Sequence, residues 1–252
     1  MPAKYKKIYL SKVIVRIDFV NQIENSREKL PKELAKKILN YFPIFEEQKV
    51  TEGTIEISHG KNVESKNIKE SVILNYYGLN KDKKISLSNN FMFIEYEKYM
   101  GFKSLKKEFL DISSTLISEI KDIQIHRFGL RYINNIEPKD QTKPTEWSNY
   151  IDKDLLGNFS IFKQNEKLTR AFNIISMQEN NVNLIFQFGM HNPDYPAEIR
   201  RKIFVLDYDS YSQGSINDNN LGRYLENSHN QIRKYFDNSI TETLELEMGR
   251  AK

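Results

Sequence analysis

Arg127 and Arg131 stand four residues apart in Arg127-Phe-Gly-Leu-Arg-Tyr-Ile-Asn134, the stretch of this chain whose residue types point most directly to chemistry. Side chains on a strand alternate, so an extended conformation sends Phe128, Leu130 and Tyr132 one way and Arg127, Gly129 and Arg131 the other. The two arginines then lie roughly 13 Å apart along the strand, with a glycine gap that backbone or a planar ligand can approach. Guanidinium forks suit phosphate and carboxylate. The competing role is structural, with each arginine neutralised by an acid on a neighbouring strand such as Asp207 or Glu95.

Other reactive residue types are sparse. The four histidines, His59, His126, His191 and His229, form no H-x-x-x-H pair that would place two imidazoles on one helix face. His229 falls near the apolar stripe of a C-terminal helix and reads as a core or helix-flank histidine. His191 opens the turn-like His191-Asn-Pro-Asp-Tyr195-Pro196, a loop by composition, which adds His191 and Tyr195 to the candidate binding residues. Asp207 and Asp209, at i and i+2, share a strand face. They suit a divalent cation or a shared proton, or else serve as partners for Arg127 and Arg131. With no cysteine, disulfides and thiolate metal sites are excluded, and no metal or cofactor is expected. Walker loops, dinucleotide fingerprints, nucleophile elbows and kinase signatures are all missing.

The elements that must position these residues follow from hydrophobic period. Val13, Val15, Ile17 and Phe19 share one face of an opening strand, with Arg16 and Asp18 opposite. Leu34, Ile38 and Phe42 form the stripe of a helix opened by Pro31. Strands are expected at Thr54–Ser58, Ser71–Tyr77, Lys84–Leu87 and Phe91–Tyr96, as an antiparallel meander. A helix over about Ser104–Ile120, capped by Ser104, closes the first half.

The second half repeats this order. The strand holding Arg127–Asn134 leads to a short helix at about Glu146–Leu156, closed by Gly157. Strands at Leu168–Ser176, Asn183–Met190 and Lys202–Asp209 precede a helix over about Leu221–Leu244. Val15-Arg16-Ile17 matches Leu130-Arg131-Tyr132, so each leading strand sets an arginine opposite its apolar face. The expected fold is therefore α+β, an antiparallel sheet built from two similar halves, residues 1–122 and 123–252, in one compact unit with the long helices on one face. In element order this resembles the saddle of TATA-binding protein and, less closely, a duplicated ferredoxin-like unit, a likeness of topology that carries no function.

The octapeptide also resembles the core motif, R-x-G-L-R-Y-I-N, of a sporadically distributed bacterial family of uncharacterised proteins of about this length. The apolar strand Val13–Val20 and a C-terminal helix ending near Glu247-Met248-Gly249 are similar to that family too. A Pro-Pro-Ile lead-in associated with it does not precede the opening strand here. The resemblance implies the fold and no activity; sporadic occurrence implies an accessory component of a mobile or defence locus.

Composition narrows the function classes. The 39% hydrophobic content supports a globular core, and the 29% charged content implies a well-solvated surface. A net charge of only +4, from 38 Lys+Arg against 34 Asp+Glu, is too small to imply nucleic acid by itself. The basic excess lies in the first half. No apolar run is long enough to span a bilayer, and no signal-like apolar core follows Met1–Lys7, so a cytoplasmic protein with no membrane partner is expected.

Three functions follow, in order. The first is a non-enzymatic protein that presents the sheet face bearing Arg16, Arg127 and Arg131 to another protein or to a second copy, with Tyr132, Asn134, His191 and Tyr195 as further candidates. The second is a single-stranded RNA or DNA binder using tyrosine and arginine on the sheet. The third is a hydrolase using His126 or His191 with Asp207.

Overall fold

The computed structural model describes residues 5–23, 28–56, 64–161, 167–179 and 181–249. Its opening strand, β1 (Leu10–Phe19), shows the expected alternation: Val13, Val15 and Ile17 are fully buried, while Arg16 is half-buried on the opposite side. Helix α1 (Lys32–Tyr41) buries Leu34 and Ile38 and stops at Phe42, where Pro43 cannot continue it. Strands β2 (Ile44–Glu56), β3 (Glu64–Tyr77), β4 (Lys83–Leu87) and β5 (Phe91–Tyr96) form the meander. Helix α2 (Phe102–Glu119) follows.

The second half runs β6 (Ile125–Ile136), the single turn α3 (Lys153–Leu156), β7 (Ala171–Glu179), β8 (Val182–Met190), β9 (Phe204–Ile216), α4 (Leu221–Ser239) and α5 (Glu242–Glu247). The nine strands among the described residues join one sheet in the order β2-β3-β4-β5-β1-β6-β9-β8-β7, and each neighbouring pair is antiparallel. Read outward from the centre, each half lays its leading strand first, then its later strands in reverse. The halves meet where β1 pairs with β6, with Val15 across from Leu130 and Arg16 across from Gly129. Among the described residues β2 has no counterpart in the second half, and a single turn stands where the first half has α1.

The helices lie on one side of this sheet. Phe128 of β6 touches both Phe109 of α2 and Tyr224 of α4, with ring centroids 6.0 Å apart in each case. Polar side chains on this side are tied to the helices rather than left bare. Tyr96 of β5 donates to Glu108 of α2 at 2.9 Å, and Tyr208 of β9 donates to Ser239 of α4 at 2.7 Å. Among the described residues no helix is long and apolar enough to cross a membrane.

Several expectations require correction. β2 begins ten residues before Thr54, because its exposed Glu46-Glu47-Gln48-Lys49 run carries no apolar period; residues 57–58 of the expected strand lie outside the described residues. Ser104 does not cap α2. Gly101 precedes the helix at φ 105°, a left-handed conformation that favours glycine. Residues 146–156 are not one helix: Ile151 forms an isolated β-bridge with Ile240, and Asp152 caps α3 by accepting from the Asp154 amide. The same bridge ends α4 at Ser239, so the expected single C-terminal helix is two, with Thr241 capping α5.

Candidate binding face of the sheet

Opposite the helices the sheet presents a face that no described helix covers. Its centre is the arginine motif. Arg16 donates from Nε to Asp18 Oδ1 at 2.8 Å, and its Nη2 stands 2.6 Å from the same oxygen. Arg127 reaches Asp18 Oδ2 at 3.4 Å and Asp209 Oδ2 at 3.6 Å. Arg131 grips Asp207 through two parallel bonds, Nε to Oδ1 at 2.8 Å and Nη2 to Oδ2 at 2.6 Å. Three guanidinium groups therefore meet three carboxylates, and the strip is neutral.

Gly129 acquires a role from this geometry. Across β9, Arg127 faces Gln213 while Asp209 faces Arg131. To reach Asp209, Arg127 must lie back along its own strand over Gly129. A Cβ at that position would sit 3.2 Å from Arg127 Nη1. The gap is therefore filled by Arg127 itself rather than left for a ligand.

The electrostatics agree with a matched network. Hydrogen bonding to Asp207 raises the Arg131 pKa above its usual range despite partial burial. Burial pushes the Asp209 carboxyl up, against the opposing pull of Arg127 and Arg131. Glu95, the other acid considered for these arginines, instead contacts Lys12 at 3.3 Å and Lys84 at 3.6 Å.

Aromatic rings interleave with these charges. Phe91 and Phe93 stack at 5.7 Å on the same face, with Arg16 4.5 Å above the Phe91 ring. Arg127 lies 4.9 Å from the Tyr211 centroid. Sequence reasoning passed over Phe91 and Phe93. Their signal was there: Phe91-Met-Phe-Ile94 is apolar on both faces of its strand, one face more than a core needs.

The remaining candidates do not join this face. Tyr132 and Asn134 share the parity of Leu130 and point to the helix side, where they are 6% and 4% exposed. Asn134 donates to the Leu206 carbonyl at 3.1 Å. Tyr132 sits in a chain of hydrogen bonds, 3.0 Å from the Tyr99 hydroxyl and 2.9 Å from His229 Nδ1. His191 lies at the end of β8, its amide donating to the Ile203 carbonyl. Tyr195 is exposed in the following loop, its ring 5.9 Å from Arg170. His59 lies outside the described residues.

His229 stacks on Phe102 with centroids 3.8 Å apart, and burial, aided by Arg233, lowers its pKa from 6.5 to about 4. Above pH 6.5 the imidazole is neutral whether the chain is folded or unfolded. Between pH 6.5 and about 4 the unfolded chain takes up a proton that the folded chain refuses, so acidification lowers stability across that window. The expected loss, reduced for the ring's partial exposure, is about 2 kcal/mol. His229→Asn should flatten the dependence measured by urea unfolding between pH 7 and 4; an unchanged slope would show that this imidazole does not carry it.

A cleft of about 310 Å³ opens beside the start of α4, lined by Ser212, Gln213, Asn220, Arg223, Tyr224 and Asn227 among others. Among the described residues its lining holds no histidine and no carboxylate, the groups a hydrolytic acid or base would come from. Among the described residues no group of three or more histidine or carboxylate side chains is arranged to hold a metal.

No family model matches the chain, and no curated protein matches it.

Proposed function

We propose that this protein is a non-enzymatic macromolecule-binding protein, an accessory subunit or adaptor, that offers the open sheet face to another protein. One observation carries this reading: on a β surface free of described helices, paired Arg16, Arg127 and Arg131 alternate with the rings of Phe91, Phe93 and Tyr211. Arginine and aromatic rings are the side chains most enriched in protein interfaces. Charge neutrality argues against a phosphate backbone as partner, since such binding draws on unmatched cations. The sporadic distribution of the family that the octapeptide resembles supports an accessory role.

Single-stranded nucleic acid is the second reading, favoured by the stacked Phe91 and Phe93, which supply a platform for bases. One comparison separates the two. The tagged protein and its Phe93→Glu variant are used to capture partners from the native host, and both are titrated with single-stranded DNA and RNA at low ionic strength. A protein recovered by the parent and lost by the variant is the expected result. Oligonucleotide affinity that falls steeply with salt and weakens in Arg131→Ala would favour the second reading, and no capture at all would remove the first.

A further inference from the structure

The two margins of the sheet are built differently. At one, β2 carries exposed Glu46, Glu47 and Lys49, and its pairing with β3 shifts register between Glu52 and Thr54. Charges and irregularities of this kind stop an edge strand from pairing with another chain. At the other margin, β7 has neither guard. Its register with β8 is unbroken from Ala171↔Met190 to Glu179↔Val182, and Ala171–Gln178 contains no charge and no proline.

β7 carries exposed apolar side chains on both of its faces. Ile174 is 67% exposed and Ile175 47%, with Phe172 and Met177 at 37% each. No described strand pairs with the outer edge of β7. A long, regular, uncharged edge with exposed apolar side chains is the configuration that recruits a further strand.

The ends of β7 specify the occupant. Arg170 precedes the strand and Glu179 closes it. Both are exposed, and neither takes part in an ion pair among the described residues. Arg170 lies instead over the rings of Phe172 and Tyr195. In an antiparallel pairing of two identical strands, the Arg170 end of each copy comes level with the Glu179 end of the other, while the uncharged centres meet without repulsion.

We propose that β7 is a self-association edge, pairing antiparallel with β7 of a second copy about a two-fold axis perpendicular to the sheet. Opposite residues in such a pair point to the same face, so the residue at the axis must face its own copy rather than its sequence neighbour. Ile175 is the residue that keeps all nine positions paired, setting Ile175 against itself and Ile174 against Ser176. The product is one continuous sheet spanning both copies. The face carrying the arginine motif stays uncovered, so this proposal and the function proposed above stand or fall separately.

The absence of cysteine makes the test direct, because any disulfide formed by a single-cysteine variant must link two chains. Ile175→Cys should give a covalent dimer under mild oxidation, with Glu47→Cys on the opposite edge remaining largely uncrosslinked. By sedimentation velocity well above micromolar concentration, the weak end of protein interfaces, the unmodified protein should run as a dimer. Ile175→Lys, which sets two lysines face to face, should run as a monomer with an unchanged far-ultraviolet circular dichroism spectrum. The proposal is overturned by a monomeric parent protein, by a dimer that persists in Ile175→Lys, or by crosslinking at position 175 no faster than at position 47.

Discussion

Phe128→Ala should lower the unfolding free energy by about 3–5 kcal/mol, the range for removing a fully buried aromatic ring from a close-packed core. Phe128 is 0% exposed and its ring meets α2 through Phe109 and α4 through Tyr224. Deleting it removes a contact shared by both long helices at the centre of the sheet, and neither helix can move in to fill the space without leaving the other. Since small proteins have only about 5–15 kcal/mol to lose, the variant should sit close to unfolding at physiological temperature. Urea unfolding measures the change directly. Phe128→Leu, which keeps most of the volume, should cost less than half as much. A loss under 1 kcal/mol for the alanine variant would mean that the helices are not docked through this ring.

Arg131→Ala should cost about 3 kcal/mol, for a different reason. The Asp207 side chain is only 10% exposed, and among the described residues Arg131 is its ion-pair partner. Removing the arginine strands a carboxylate in a largely desolvated place, and the penalty of the unpaired charge exceeds the worth of the pair itself. Replacing Asp207 by Asn in the same chain removes the stranded charge, so the double variant should be more stable than Arg131→Ala alone. Arg16→Ala is the internal control. Asp18 keeps Arg127 as a second partner when Arg16 is gone, and the expected cost is under about 1 kcal/mol. Equal losses in the two single variants would contradict this account.

Much of the architecture could be read from local pattern, and the failures have physical causes. The faces of β1 and β6 follow from strict alternation, and the helix stripe of α1 from its period, because in each a single core dictates the sequence. The start of β2 was hidden because an edge strand with solvent on its outer side needs no apolar period at Glu46 to Lys49. The break after α4 was hidden because Ile240 falls four residues after Phe236, in perfect helical phase. What withdraws it from the helix is a bridge to Ile151, a contact remote in sequence. Thr241, followed by acids, was the local clue to a new helix start.

In the candidate site, pairing of Arg131 with Asp207 was legible as an alternative, since a fork and a carboxylate on adjacent strands are complementary. The direction in which Arg127 folds was not, because it depends on the β6–β9 register. Tyr132 and Asn134 entered the candidates through their place in the octapeptide, although parity with Leu130 already directs them toward the helices.

Cancellation of charge along the arginine strip sets how a visitor arrives. Three dipolar pairs side by side produce a field that decays over a short range, so the strip itself neither draws a partner in nor turns it on approach. Encounter is then governed by plain diffusion, with association rates of about 10⁵–10⁶ M⁻¹s⁻¹ that barely change with ionic strength. Tight binding at such a surface comes from slow departure, and lifetime rather than capture rate is where variation in the rings of Phe91, Phe93 and Tyr211 will be felt.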